Sequence, residues 1–151
     1  MKKKQNTSKS TIMSKISSVH LTWKRYLQRG LNPYGINLKQ IFVLRHLAEK
    51  EFLFPAQIAQ MLFCDRPTAT VIIKNMERQG WITREKDPDN RKRIRIYITP
   101  QGRTKFSSIP QSKYRSGKTS FDPFSCFNER EKEQLEKLLK KLTDHLKHIN
   151  G

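Results

Sequence analysis

The sequence predicts a mainly α-helical fold that carries one small antiparallel β-hairpin. Three observations predict it. Apolar residues recur at i, i+3, i+4 and i+7 over most of the chain. The period drops to two only between Trp81 and Thr99, on either side of the turn-forming run Asp87-Pro88-Asp89-Asn90. Helix-capping and helix-stopping residues fall at the joints between the periodic stretches.

Met1 to Ser10 is Lys, Ser, Thr and Gln with almost nothing apolar, and reads as a disordered basic arm. From there Ile12, Ile16, Val19, Trp23 and Leu27 fall at helical spacing, so a first helix runs to about Arg29 and Gly30 ends it. Asn32-Pro33-Tyr34-Gly35 is a loop. The second helix spans about Leu38 to Lys50 on Ile41, Val43, Leu44, Leu47 and Ala48. Pro55 suits the first turn of a short helix, since a proline lacks an N–H that would be unpaired there anyway; Ile58, Ala59 and Leu62 share its inner side.

After the tight connection Phe63-Cys64-Asp65, Asp65 is an N-cap for a helix from Arg66 to Gln79 with Ala69, Ile72, Ile73 and Met76 inside. Gly80 stands where a helix end favours a left-handed residue. In the hairpin, Ile94, Ile96 and Ile98 point one way and Arg93, Arg95 and Tyr97 the other. Thr99 caps a further helix that begins with Pro100. Pro110, Gly117 and Pro123 punctuate a polar stretch from Ser107 to Ser125. Asn128-x-x-Glu131 has the form of a capping box, in front of an amphipathic stripe of Leu135, Leu138, Leu139, Leu142, Leu146 and Ile149.

Charge narrows the partners. The 151 residues carry a formal net charge of +18. Residues 1–30 hold eight Lys or Arg and no acid; residues 66–107 hold eleven bases against four acids. The segment from Asn128 is nearly balanced, with six bases and five acids. A basic arm and a basic central module form an electrostatic footprint for a polyanion. No apolar run reaches membrane-spanning length or has the shape of a signal-peptide core. Cys64 and Cys126 are far apart and form no CxxC, which fits a protein of the reducing cytoplasm. No nucleophile–base pair or carboxylate dyad stands out, so no enzyme is expected, and neither a metal site nor a cofactor motif. His145 and His148 lie three apart near the C-terminus and read as exposed, and Cys64 reads as a buried structural thiol.

Two helices joined by a short connection and followed by a basic hairpin make a winged helix-turn-helix. The second helix of such a pair fits the major groove of duplex DNA, about 12 Å wide, with its N-terminal residues at base edges. Its outward residues are Arg66, Pro67, Thr68, Thr70, Val71 and Lys74. Arg66 suits guanine, Thr68 and Thr70 suit bases or phosphate, and Val71 suits a thymine methyl group. On the hairpin, Arg91, Lys92, Arg93 and Arg95 are placed for phosphate or a narrow minor groove. The expectation is a sequence-specific double-stranded-DNA-binding protein. The alternative, motivated by the charge, is an architectural binder with no sequence preference.

The stretch from Gly35 to Gly102 resembles the multiple antibiotic resistance regulator (MarR) family of bacterial transcription factors. The resemblance is carried by the run at residues 35–44 (GINLKQIFVL), by Asp65-Arg66-Pro67-Thr68-Ala69-Thr70 and by Met76-Glu77-Arg78-Gln79-Gly80-Trp81-Ile82. It continues in Asp87-Pro88-Asp89-Asn90-Arg91 and ends in Ile98-Thr99-Pro100-Gln101-Gly102. It implies a homodimer in which terminal helices interlock, acting as a repressor on a pseudo-palindromic operator; a small-molecule effector is compatible with it.

The dimerising residues would be Ile16, Val19 and Trp23 on the first helix and Leu135, Leu138, Leu139, Leu142 and Leu146 on the last. Such stripes also suit packing on the chain's own domain. The division is then 1–35, basic arm and first dimerisation helix; 36–103, DNA-binding domain; 104–151, C-terminal dimerisation helices. Three departures from the family pattern stand out. Phe54 replaces a hydroxyl or acidic cap, Phe63 replaces a small residue, and Pro110 interrupts a normally long helix. The family's Asp-x-Arg at the hairpin tip aligns with Asn90-Arg91-Lys92 or, shifted by one, with Asp89-Asn90-Arg91. The minor-groove residue is therefore Arg91 or Lys92.

Overall fold

The computed structural model describes residues 6–115, 118–119 and 121–149. Lys2, Lys3 and Lys4 of the basic arm, and Gly117, lie outside the described residues. The chain forms two compact units, Met1–Lys118 and Thr119–Gly151.

In the first unit, α1 spans Asn6–Leu31 and passes into a 3-10 turn at Asn32–Tyr34. Helix thus begins earlier than the arm's polar composition suggests. Neither proline nor glycine interrupts residues 6–29, and adding a residue to an existing helix costs little. It also runs through Gly30. The chain turns at Gly35 instead, at φ +61°, a conformation open to glycine because it has no Cβ.

Then follow α2 (Leu38–Glu49), α3 (Pro55–Met61) and α4 (Arg66–Arg78). α2 is closed by a reciprocal capping box between Asn37 and Gln40. β1 (Ile82–Lys86) and β2 (Ile94–Ile98) pair antiparallel, with Ile82 opposite Ile98 and Lys86 opposite Ile94. α5 (Pro100–Ser107) is capped by the Thr99 side chain, which accepts from the N–H of Gly102. A 3-10 turn at Gln111–Lys113 follows Pro110.

One core joins these elements. Leu31, Ile36, Ile41, Val43, Leu44, Leu47, Ile58, Ala69, Ile73, Met76, Ile82 and Ile96 are all buried in it. The expected inner face of α4 is there, with Ile72 half-buried at its margin. Of the β2 isoleucines only Ile96 is fully buried; Ile94 and Ile98 are half-buried. α5 approaches so closely that a Cβ on Gly102 would lie 2.0 Å from the Trp81 carbonyl oxygen. That explains the glycine two residues after Pro100 as a packing requirement.

The second unit contains α6 (Glu129–Lys147), closed by the expected capping box between Asn128 and Glu131. No residue of α6 is buried.

Candidate nucleic-acid interface

The exposed side of α4 is set by what its other side buries. With Ala69, Ile73 and Met76 inside, Arg66, Pro67, Thr70, Val71 and Lys74 are exposed, Val71 to 58%. Thr68 is half-buried. Asp65 caps the helix: its Oδ1 accepts the Thr68 N–H at 2.8 Å. Hydrogen bonds from the Thr68 side chain and backbone hold the Asp65 carboxyl below its ordinary pKa. The Thr70 hydroxyl donates to the Arg66 carbonyl at 2.9 Å, so it is left chiefly as an acceptor, which suits a base amino group rather than a phosphate oxygen.

The turn into α4 is unusual in its backbone. Phe63 has φ +50° and a side chain 97% exposed. It occupies a left-handed conformation that costs an L-residue free energy, where the family pattern places a small residue. Cys64, expected to be buried, is half-buried against the core, and its N–H donates to the Ala59 carbonyl at 3.1 Å.

At the hairpin tip the chain folds back by hydrogen bonds from Asp87 N–H to the Arg93 carbonyl (3.0 Å) and from Arg93 N–H to the Asn90 carbonyl (2.8 Å). The Asn90 side chain accepts from the Lys92 N–H at 3.1 Å. Arg91 and Lys92 both lie exposed on this tip. Lys92 also lines a cleft between the hairpin and α4, together with Arg66, Thr70 and Arg93; Arg91 does not.

Arg95 departs from its expected place on an open basic face. Its guanidinium pairs with Asp87 at 2.8 Å and Asp89 at 2.9 Å and lies over the Phe52 ring at 4.1 Å, leaving the side chain 15% exposed. Alternation set it beside Arg93, but the buried Asp87 carboxylate draws it inward, since a buried charge needs a partner. Arg93 stays exposed and lies over the Phe54 ring at 3.6 Å.

Phe52, Leu53 and Phe54 were missed in the functional reading of the sequence. Leu53 pairs with Ile96 as an isolated bridge, through bonds of 3.0 and 2.8 Å, and adds a third edge to the hairpin. Phe52 and Phe54 therefore emerge on one side of it, with ring centres 5.3 Å apart. The available signal was their spacing of two residues about a buried leucine, the period of extended chain.

The terminal stripes sit as follows. On α1, Val19 is 70% exposed; Ile16 and Trp23 are half-buried, and Trp23 stacks on Tyr26. On α6, Leu135 and Leu142 are half-buried, while Leu138, Leu139 and Leu146 are exposed, Leu138 to 57%.

A helix pair with a capped second helix, followed by a basic hairpin, defines a winged helix-turn-helix. Residues 36–94 match the model of the MarR family. The chain is similar to the HTH-type transcriptional regulator PecS of Dickeya dadantii (strain 3937), with 24% identity over 138 residues, covering 89% of this chain and 81% of PecS. The organic hydroperoxide resistance transcriptional regulator of Bacillus subtilis (strain 168) is 32% identical over 72 residues, 48% of this chain and 49% of that protein. Among solved structures, AbsC, a MarR family transcriptional regulator from Streptomyces coelicolor, shares the fold with a TM-score of 0.78 at 17% identity, covering 98% of this chain and 99% of AbsC. Among the described residues, no helix is long and apolar enough to cross a membrane.

Proposed function

We propose that the chain represses transcription as a homodimer bound to a pseudo-palindromic duplex operator, in the cytoplasm where the nucleoid lies. The carrying observation is the outward row of α4. Arg66, Pro67, Thr70, Val71 and Lys74 stand exposed on the face opposite the buried one, a mixture of charge, hydroxyl and methyl groups that suits base edges. Thr68 contributes from the half-buried side of the same turn. Arg91 or Lys92 enters the minor groove, and Arg93 contacts the backbone. Arg95 supports the wing from within.

The dimer is supported by apolar surface that each unit leaves wholly or partly uncovered: Ile16, Val19 and Trp23 in one, and Leu135, Leu138, Leu139, Leu142 and Leu146 in the other. Burying such side chains contributes roughly 1.5–3 kcal/mol each. A second copy is the partner that a two-fold operator matches.

The division of labour is testable on cognate and random duplexes. Thr68→Ala with Thr70→Ala relaxes sequence preference, whereas removing Lys2, Lys3 and Lys4 weakens binding to both duplexes alike. Equal, sequence-independent losses from both changes would refute it. The net charge of +18 favours a second reading, an architectural binder. That reading is correct if bulk genomic DNA competes as well as any selected site.

A further inference from the structure

We propose that the cleft between the wing and α4 is a seat for a single phosphodiester of the DNA backbone, and that Phe54 is the residue that positions Arg93 in it. This rests on the duplex-binding reading above and adds to it which group is held, by which cations, and what aims them.

Phe54 stands at the N-cap of α3 but forms no side-chain cap. Gln57 takes over part of that work, its Oε1 accepting the Phe54 N–H at 2.8 Å. The Phe54 ring is left free for another contact, and Arg93 lies over it at 3.6 Å. Phe52 braces the ring edge-on at an interplanar angle of 76°. Stacking occupies the flat face of a guanidinium and leaves its in-plane N–H groups free, in the fork geometry that matches two phosphate oxygens. The ring therefore fixes Arg93 without consuming its donors.

Arg66, at the first turn of α4, and Lys92, beside Arg93, line the same cleft, so in this seat Arg66 is a backbone contact rather than a base contact and Arg91 is left to the minor groove. Among the described residues, no carboxylate pairs with Arg66, Lys92 or Arg93. Arg95, two residues further on in β2, has two carboxylate partners. One base of the hairpin is thus neutralised inside the protein, while three cations line a common cleft with no carboxylate paired to them among the described residues. Thr70 adds little as a donor, since its hydroxyl is committed to the Arg66 carbonyl. A phosphate is the anionic group that duplex DNA brings to such a place.

The test is duplex affinity of the full chain, read by fluorescence anisotropy across a range of salt. The slope of log affinity against log salt counts neutralised phosphates, at about 0.9 each. If Arg66, Lys92 and Arg93 share one phosphate, the triple variant R66A/K92A/R93A flattens the slope by about 0.9; three separate phosphates flatten it by about 2.7. The larger change, or none, overturns the shared seat. Phe54→Leu, which keeps bulk but removes the ring face, weakens binding about two- to five-fold, the worth of an exposed cation–π contact, and Phe54→Tyr restores it. Wild-type affinity in Phe54→Leu overturns the positioning role. A wild-type chain that binds no duplex overturns the underlying DNA reading instead, and that outcome is distinct from the other two.

Discussion

The guanidinium of Arg95 holds the buried carboxylate of Asp87 at 2.8 Å, and the same group reaches Asp89 at 2.9 Å. These pairs tie β2 to the turn that carries Arg91 and Lys92. A charge neutralised within the protein releases few counterions from DNA. Arg95→Ala is therefore expected to lower thermal stability, because it strands Asp87, while leaving the salt slope of DNA binding at its wild-type value. A slope flattened by about 0.9 would instead make Arg95 a phosphate contact.

Gly102 sits where a Cβ would meet the Trp81 carbonyl oxygen at 2.0 Å. Backbone has to shift to admit a methyl group there. Gly102→Ala should cost about 1–3 kcal/mol by overpacking, measured by urea unfolding. A variant as stable as wild type would contradict the close approach of α5 to the hairpin.

Phe63 combines φ +50° with 97% exposure, so the free chain gains little from this side chain. Phe63→Gly should relieve left-handed strain and stabilise the fold by about 1 kcal/mol, read as a rise in melting temperature. An unchanged or lower melting temperature would show that the strain at Phe63 is smaller than the chain entropy glycine adds to the unfolded state.

The cap of α4 carries a pH dependence. Thr68 donates to Asp65 and depresses its folded pKa below the ordinary 3.8. A depressed carboxyl stabilises the fold fully above its unfolded pKa and loses that contribution as pH falls through the folded value. Asp65→Ala should therefore be less stable than wild type at neutral pH, and the gap should narrow below pH 3.8. Unfolding midpoints measured for both across acid pH decide it; a gap that does not change with pH would remove the carboxylate from the account.

Much of the module was legible because its signals are local. Asp65 and Thr99 cap the helices that follow them, and Gly80 adopts its left-handed φ of +73°. What escaped the sequence depends on contacts between distant segments. Alternation put Arg95 beside Arg93, and no pattern along the strand distinguishes a base paired with a buried acid from one facing solvent. Leu53 pairs through a single bridge, too short to show a period. Phe54 read as a defective cap, and its use appears only once Arg93, 39 residues later, lies on its ring. The helical start at Asn6 and the turn at Gly35 rather than Gly30 were likewise hidden, because polar composition does not by itself stop a helix and one glycine resembles another.

The central claim is that α4 reads bases on a two-fold site. Selection of duplexes from a random pool by the full chain, followed by a footprint of the winner, tests it most directly. The account predicts an enriched sequence with two inverted half-sites about one helical turn apart. A pool that emerges with no enriched sequence, although the protein binds it, would contradict the claim.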